Sequence, residues 1–478
     1  MDVVLINPIN IKSHPFGISP PLGLCLIGCE LEKRGFSVKI LDLEVLPLDF
    51  DLYACLRDLV PKVVGISGTT HSRFESFRIA NIAKKVSAEI VTVYGGCHAT
   101  FASVDTLTHI QDIDYIVRGE GEVTFIELVH CLVSGKGKAE DIKGINFRKD
   151  GGIIENPPRE RIEDLDSLCY SRHLIEMDKY PIILDWLNIP AVIIMTARGC
   201  PFNCSFCSAS AMFGKKYTRR STKKIVEEIR YGMEKFNIKG IRFFDSTFTL
   251  NREHVLSLTE ELKKISPLLP WHCEIRVDTA DEFLLASMKE SGCYSVDFGV
   301  ESGSERIIAT MGKRITSQQV ENVVHWCRKL GIRTVAFFSF GHIGETWLDA
   351  QRTIALIGRL YPYIDVTSVI FGMRIYPGTF MERYALENKL LPGDFSWSSP
   401  FQNIEAGVVV TDNVPLLLQP QFGIKELQRC NLAYEKIQTK NLLSLKSIVN
   451  KSKQIRSFPV FLHKSYTMLK SLKKIVLR

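Results

Sequence analysis

Short β-branched runs alternate with helical periodicity along the first 145 residues, and that alternation confines them to an α/β fold with a parallel sheet. The pattern predicts strands at Val3–Asn7, Ser37–Asp42, Lys62–Ser67, Ile90–Tyr94 and Tyr115–Arg118, with helices between them such as Leu22–Arg34 and Phe74–Ser87. Ligands of such sheets sit beyond the carboxyl ends of the strands. Those ends carry Asn7-Pro8, Ser67-Gly68-Thr69-Thr70-His71, Gly95-Gly96-Cys97-His98 and Arg118-Gly119-Glu120-Gly121-Glu122. Glycines at these points let backbone approach a bulky ligand. No Gly-x-Gly-x-x-Gly opens the first helix, which speaks against a dinucleotide.

Residues 146–190 read as a linker, with Asp150-Gly151-Gly152 and Asn156-Pro157-Pro158 as breakers. From Ala191 the β/α rhythm restarts at longer spacing. It predicts strands at Ala191–Thr196, Gly240–Phe244, Trp271–Arg276, Ser295–Val300, Thr334–Phe340 and Ser368–Arg374. Six strands with intervening helices fit a partial (β/α)6 TIM-type barrel over 191–395, whose active site lies at the strands' carboxyl ends. Asp245, Arg276, Glu301 and His342 fall there. Residues 396–478 read as a small, mostly helical C-terminal region.

Immediately after the first strand of the barrel comes Thr196-Ala197-Arg198-Gly199-Cys200-Pro201-Phe202-Asn203-Cys204-Ser205-Phe206-Cys207. Three thiolates spaced C-x3-C-x2-C on one loop can hold three irons of a cubane and leave the fourth open to an outside chelator. A structural zinc site wants four ligands, usually with paired C-x2-C spacing, and no fourth Cys or His stands nearby in sequence. The chain holds thirteen cysteines. An odd, scattered set with no signal peptide before it argues for reduced thiols in a cytoplasm. No run of about 18 apolar residues suggests a membrane span.

These residues together resemble the radical S-adenosylmethionine (SAM) superfamily. The resemblance implies a [4Fe–4S] cluster on Cys200, Cys204 and Cys207, with SAM chelating the open iron and yielding a 5′-deoxyadenosyl radical on reduction. It also implies an electron donor such as flavodoxin or ferredoxin. Phe206, before the third cysteine, matches the same motif. Asp245 falls where the methionyl end of SAM is expected, Arg276 can pair with its carboxylate, and Glu301 can hold its ribose hydroxyls. A purely structural role is the alternative for each of these three. Gly341-His342-Ile343-Gly344-Glu345-Thr346 and Tyr376-Pro377-Gly378-Thr379 resemble later family segments.

The four strand-end segments of the first domain, together with Pro20-Pro21-Leu22-Gly23-Leu24, resemble the Rossmann-like (flavodoxin-like) cobalamin-binding domain fused to many members of this superfamily. Under that resemblance Ser67, Thr69, His71, Gly95, Gly96, His98, Gly119 and Glu120 contact cobalamin, with His98 along its edge. The alternative is a domain kept as scaffold or binding another nucleotide. No Asp-x-His-x-x-Gly loop follows the first strand, so His14 is not expected to ligate cobalt; His71 and Arg73 lie in a loop that could approach its lower face.

Both cofactor domains in one chain imply a methyltransferase acting on an unactivated carbon, or less often phosphorus. A cyclase, ring-rearranging or oxidising enzyme with the same cofactors is the runner-up. A cobalamin carrier or light sensor would have no use for the cysteine triplet, and a methylthiotransferase would carry a further cysteine set that the N-terminal cysteines do not form.

Net charge is +7, yet residues from 440 onward hold ten Lys and Arg and no acid, leaving residues 1–439 at −3. The main body thus shows no nucleic-acid footprint. Leucines and isoleucines at helical spacing among those lysines could lie on anionic lipid, which would suit a lipid-like substrate; a solvated end is the alternative.

Overall fold

The computed structural model describes residues 1–9, 19–47, 49–170, 172–180, 183–184, 187–401 and 413–442. His14 and nearly all of the basic tail lie outside them. Among the described residues no helix is long and apolar enough to cross a membrane.

Five parallel strands open the chain: β1 (Val3–Asn7), β2 (Val38–Asp42), β3 (Val63–Ser67), β4 (Val91–Gly95) and β5 (Tyr115–Val117). Their order is β2-β1-β3-β4-β5. Val3, Val4, Leu5 and Ile6 are all buried because helices cover both faces. Strand alternation deals them to two cores: Val4 and Ile6 join Val64, Ile66 and Ala80 on one face, while Val3 and Leu5 join Val63, Leu24 and Leu128 on the other.

The sheet does not stop where the linker was expected. β6 (Ile145–Lys149) and β7 (Gly152–Glu155) continue it antiparallel from β5. Asp150 and Gly151, taken from sequence as linker breakers, form a two-residue hairpin turn, both with positive φ (50° and 78°).

A short β8 (Ile183–Leu184) leads antiparallel into β9 (Ile189–Ile194). A two-strand ribbon follows, β10 (Ala197–Arg198) with β11 (Thr218–Arg219). The parallel run then resumes with β12 (Gly240–Phe243), β13 (Trp271–Ile275), β14 (Cys293–Glu301), β15 (Arg333–Phe340) and β16 (Val366–Phe371). The order β8-β9-β12-β13-β14-β15-β16 leaves an open sheet of six parallel strands, as expected for a partial barrel. Helices between strands start on polar caps: Ser221, Asn251, Asp281 and Thr316 each accept a backbone N–H of the first turn.

The C-terminal region is tied to both halves. Helix Ile424–Leu442 packs Leu427, Cys430 and Tyr434 into the barrel core. Met373, Ile375, Met381, Trp397 and Leu417 form a separate core with Ala102 of the first domain. Cys29 and Cys169 are paired as a disulfide; the other eleven cysteines are free.

Candidate cofactor site

The cysteine loop runs from β10 to the short helix Ala209–Phe213 and is fastened on both sides. Gly199 (φ +90°) lies so close to Lys216 that a Cβ would sit 2.1 Å from its carbonyl oxygen. The Cys200 amide donates to Gly214 O (3.1 Å), and Cys207 N to Cys204 O (3.0 Å). Ser205 N donates to Met311 O and Ser205 O accepts from Met381 N, both at 3.0 Å. Cys200, Cys204 and Cys207 are free and half-buried. Burial pushes the Cys204 and Cys207 thiols up, and each feels Cys200 as a neighbouring charge. Metal ligation would draw off those protons. Three thiols on one fastened loop, close enough that Cys204 and Cys207 each feel Cys200, are the soft donors an iron–sulfur cubane with one open iron takes.

Around the loop stand the polar residues expected from sequence. Arg276 is buried, stacked 3.5 Å over the Phe202 ring, with Nη1 4.0 Å from Cys204 Sγ. It donates to both Asp278 oxygens (3.0 and 2.7 Å) and to Lys313 O (2.7 Å). Glu301 ends β14 in the left-handed region (φ +64°), where the pairing with β15 shifts register. Burial opposes its ionisation, but Lys313 Nζ (2.8 Å) and the Ser339 hydroxyl (2.9 Å) hold its carboxyl below the ordinary range. Ser339 Oγ also meets His342 Nε2 at 2.9 Å, and burial takes that imidazole down to about 4. Phe206 packs edge-on to His342, ring centroids 5.8 Å apart.

Asp245 takes the structural role that was its alternative. Its Oδ1 accepts from Thr196 N (2.7 Å) and Ala197 N (2.8 Å), and its Oδ2 from Thr196 Oγ1 (2.7 Å). Burial nonetheless raises it to about 6. It anchors the entry to the cysteine loop, with both carboxylate oxygens engaged within the chain.

A cavity of about 530 Å³ opens between the two sheets. Ser67, Gly95, Gly96, Gly119 and Glu120 line it, with Gly23, Gly65 and Gly121. A Cβ at Gly23 or Gly119 would meet nothing within 4 Å, so backbone alone faces the space there. Ile193, Met195, Met212, Phe213 and Phe244 close the barrel side with apolar surface. A floor of strand-end backbone under apolar walls suits a large flat ring, and the residues present fit cobalamin.

Thr69, His71 and His98 are not in that wall. Thr69 caps the turn into helix Arg73–Val86 through Ser72. His71 meets Tyr376 OH (Nε2, 2.9 Å). His98 is fully buried against Thr70 and Trp397, and burial holds its imidazole near 3. Arg73 donates to Trp397 O and Asn413 O. Polar residues at strand ends look alike in sequence; here His71, His98 and Arg73 meet the C-terminal region, while Thr69 bonds within its own turn. Glu120 stays in the wall, but its carboxylate is engaged by Arg198 Nη1 (2.6 Å) and Ile162 N (2.8 Å).

Sequence reasoning passed over Arg198, Lys313 and Gly312. Arg198 stood inside the motif and was read only as context. Gly312 (φ +73°) would place a Cβ 2.9 Å from Asn203 O, so the Met311–Lys313 turn is a back-plate for the cysteine loop. That contact spans about a hundred residues and leaves no local signal.

Comparison with known proteins agrees with this geometry. The radical SAM superfamily matches residues 194–357, and the B12 binding domain matches residues 11–129. A Pyrococcus horikoshii protein named as an uncharacterized methyltransferase is 36% identical over 397 residues, 82% of this chain and 84% of its own. An anaerobic magnesium-protoporphyrin IX monomethyl ester cyclase of Rubrivivax gelatinosus is 33% identical over 363 residues, 74% of this chain and 65% of its own. The radical SAM methyltransferase TsrM of Kitasatospora setae, solved with cobalamin and a [4Fe–4S] cluster, shares the fold (TM-score 0.69, 23% identity, 81% of this chain and 78% of its own). The chain belongs to the cobalamin-binding radical SAM enzymes. Its cofactors are a [4Fe–4S] cluster, SAM and cobalamin.

Proposed function

We propose that this enzyme is a methyltransferase that places a methyl group on an unactivated carbon of a small molecule. The observation that carries the reading is that one cavity wall contains both the strand ends of the first domain and Arg198, two residues ahead of Cys200. When bound, the cluster and SAM supply a hydrogen-abstracting radical and cobalamin supplies the methyl group, a division that frees the protein from activating a carbon without a lone pair.

The chain's own residues then hold and shield. Asp245 and the Met311–Lys313 turn fix the cysteine loop. Arg276 and Glu301, one on each side of Lys313, are the candidate contacts for the carboxylate and ribose of SAM. Met212, Phe213 and Phe244 keep water from the space between the cofactors.

An electron donor of the flavodoxin or ferredoxin class, a cytoplasmic setting and contact of the basic tail with anionic lipid complete the proposal. Vesicle flotation of the full chain against a truncation at residue 439 tests the last; equal partitioning would exclude it. The cyclase relative favours a second reading, radical ring chemistry without methylation.

A substrate-independent experiment separates the two. The reconstituted enzyme, given reductant and methyl-labelled SAM, should release S-adenosylhomocysteine in a burst stoichiometric with cobalt. Release of 5′-deoxyadenosine with no S-adenosylhomocysteine would reject methyl transfer.

A further inference from the structure

Two carboxylates from one half of the molecule and one guanidinium from the other meet in the cavity wall. Glu120 and Glu122 flank Gly121, where the chain leaves β5 and enters the helix Gly121–Ser134. Arg198 Nη1 donates to Glu120 Oε1 and Nη2 to Glu122 Oε1, each at 2.6 Å. The arginine side chain is 3% exposed and both glutamates 6%.

Each end of this fork is fastened by further hydrogen bonds. The second Glu120 oxygen accepts from Ile162 N. Arg198 pairs with Thr218 across the β10–β11 ribbon, and Asp245 grips the two peptide N–H groups before it. The fork therefore joins two stiff parts. Sliding them apart would strand buried charges without partners, which is strongly unfavourable. A planar guanidinium can satisfy two carboxylates at once in a fixed plane, and a lysine ammonium cannot reproduce that geometry.

We propose that Arg198 is a positioning residue: with Glu120 and Glu122 it locks the cobalamin-side wall to the cluster loop and so sets the separation of the two cofactors. The proposal rests on the cofactor assignment and not on methyl transfer, and its test is read without turnover.

Holoenzyme with a reduced cluster and cob(II)alamin holds two paramagnetic centres, whose dipolar coupling in the electron paramagnetic resonance spectrum reports their separation. Wild type should show one narrow coupling. R198K, with iron and cobalt contents equal to wild type, should lose it to a broad distribution. A wild-type coupling in fully loaded R198K would overturn the proposal. Where R198K fails to retain cobalt, E122A decides, because it leaves every residue of the cluster loop in place: a broadened coupling supports the lock and an unchanged one overturns it.

Discussion

Glu228 takes an arginine on each carboxylate oxygen, Arg172 on one and Arg220 on the other, both at 2.6 Å, with all three side chains at most 4% exposed. Arg172 also donates to Ile193 O, and Arg220 to Met195 O, so the triad braces β9 just before the cysteine loop. Glu228→Ala leaves two guanidinium groups buried without a counter-charge, and the expected loss is about 3–5 kcal/mol, read by chemical denaturation of the apoprotein. At this scale the cysteine triplet was fully legible, because its spacing along the chain already carries the geometry. Asp245 was not: its partners lie 48 and 49 residues away, and sequence does not say that they occupy both of its oxygens. The surroundings of His71 and His98 were hidden in the same way, since their partners Tyr376 and Trp397 lie about three hundred residues further along the chain.

Strands and helices were the most legible level. β1 runs over the residues expected for it, and the other strands of both parallel runs fall within about three residues at either end, because β-branched runs and turn residues are local signals. The β6–β7 hairpin was lost to the same logic: Asp150-Gly151 punctuates a linker and a hairpin alike. Two predictions belong here. Gly23 sits in helix Leu22–Glu32 facing the cavity with open space around its Cβ position. Gly23→Leu should leave folding and iron content unchanged while cobalamin retention falls by about tenfold or more, measured by cobalt per chain after gel filtration. Retention equal to wild type would mean that this helix does not border the ligand. The second concerns the short helix Cys97–Phe101, whose buried His98 stays neutral down to about pH 3, against about 6.5 in the unfolded chain. Between those values the unfolded state binds the extra proton, so stability falls as pH drops, by up to about 1.4 kcal/mol per pH unit. His98→Gln should show a shallower acid slope in denaturation midpoints.

The described residues form two α/β bodies whose strand ends face one cavity, with residues 373–401 and 413–442 packed against them. The two bodies and their order could be read from the repeated β/α rhythm, and the cofactors from the motifs at strand ends. Their apposition could not, because the contacts that join them, such as Arg198 with carboxylates 76 and 78 residues back in the chain, are long-range. Separate seats predict separable losses: Cys200→Ala should abolish iron binding and deoxyadenosine formation yet leave cobalamin bound, assayed as metal content of the purified variant. The most direct test of the assignment as a whole is iron, sulfide and cobalt per chain, with the visible spectrum, after anaerobic purification with cobalamin supplied. The structure predicts about four iron and one cobalt per chain. Four iron without cobalt would keep the radical chemistry but contradict the cobalamin seat in the cavity and the methyl transfer built on it.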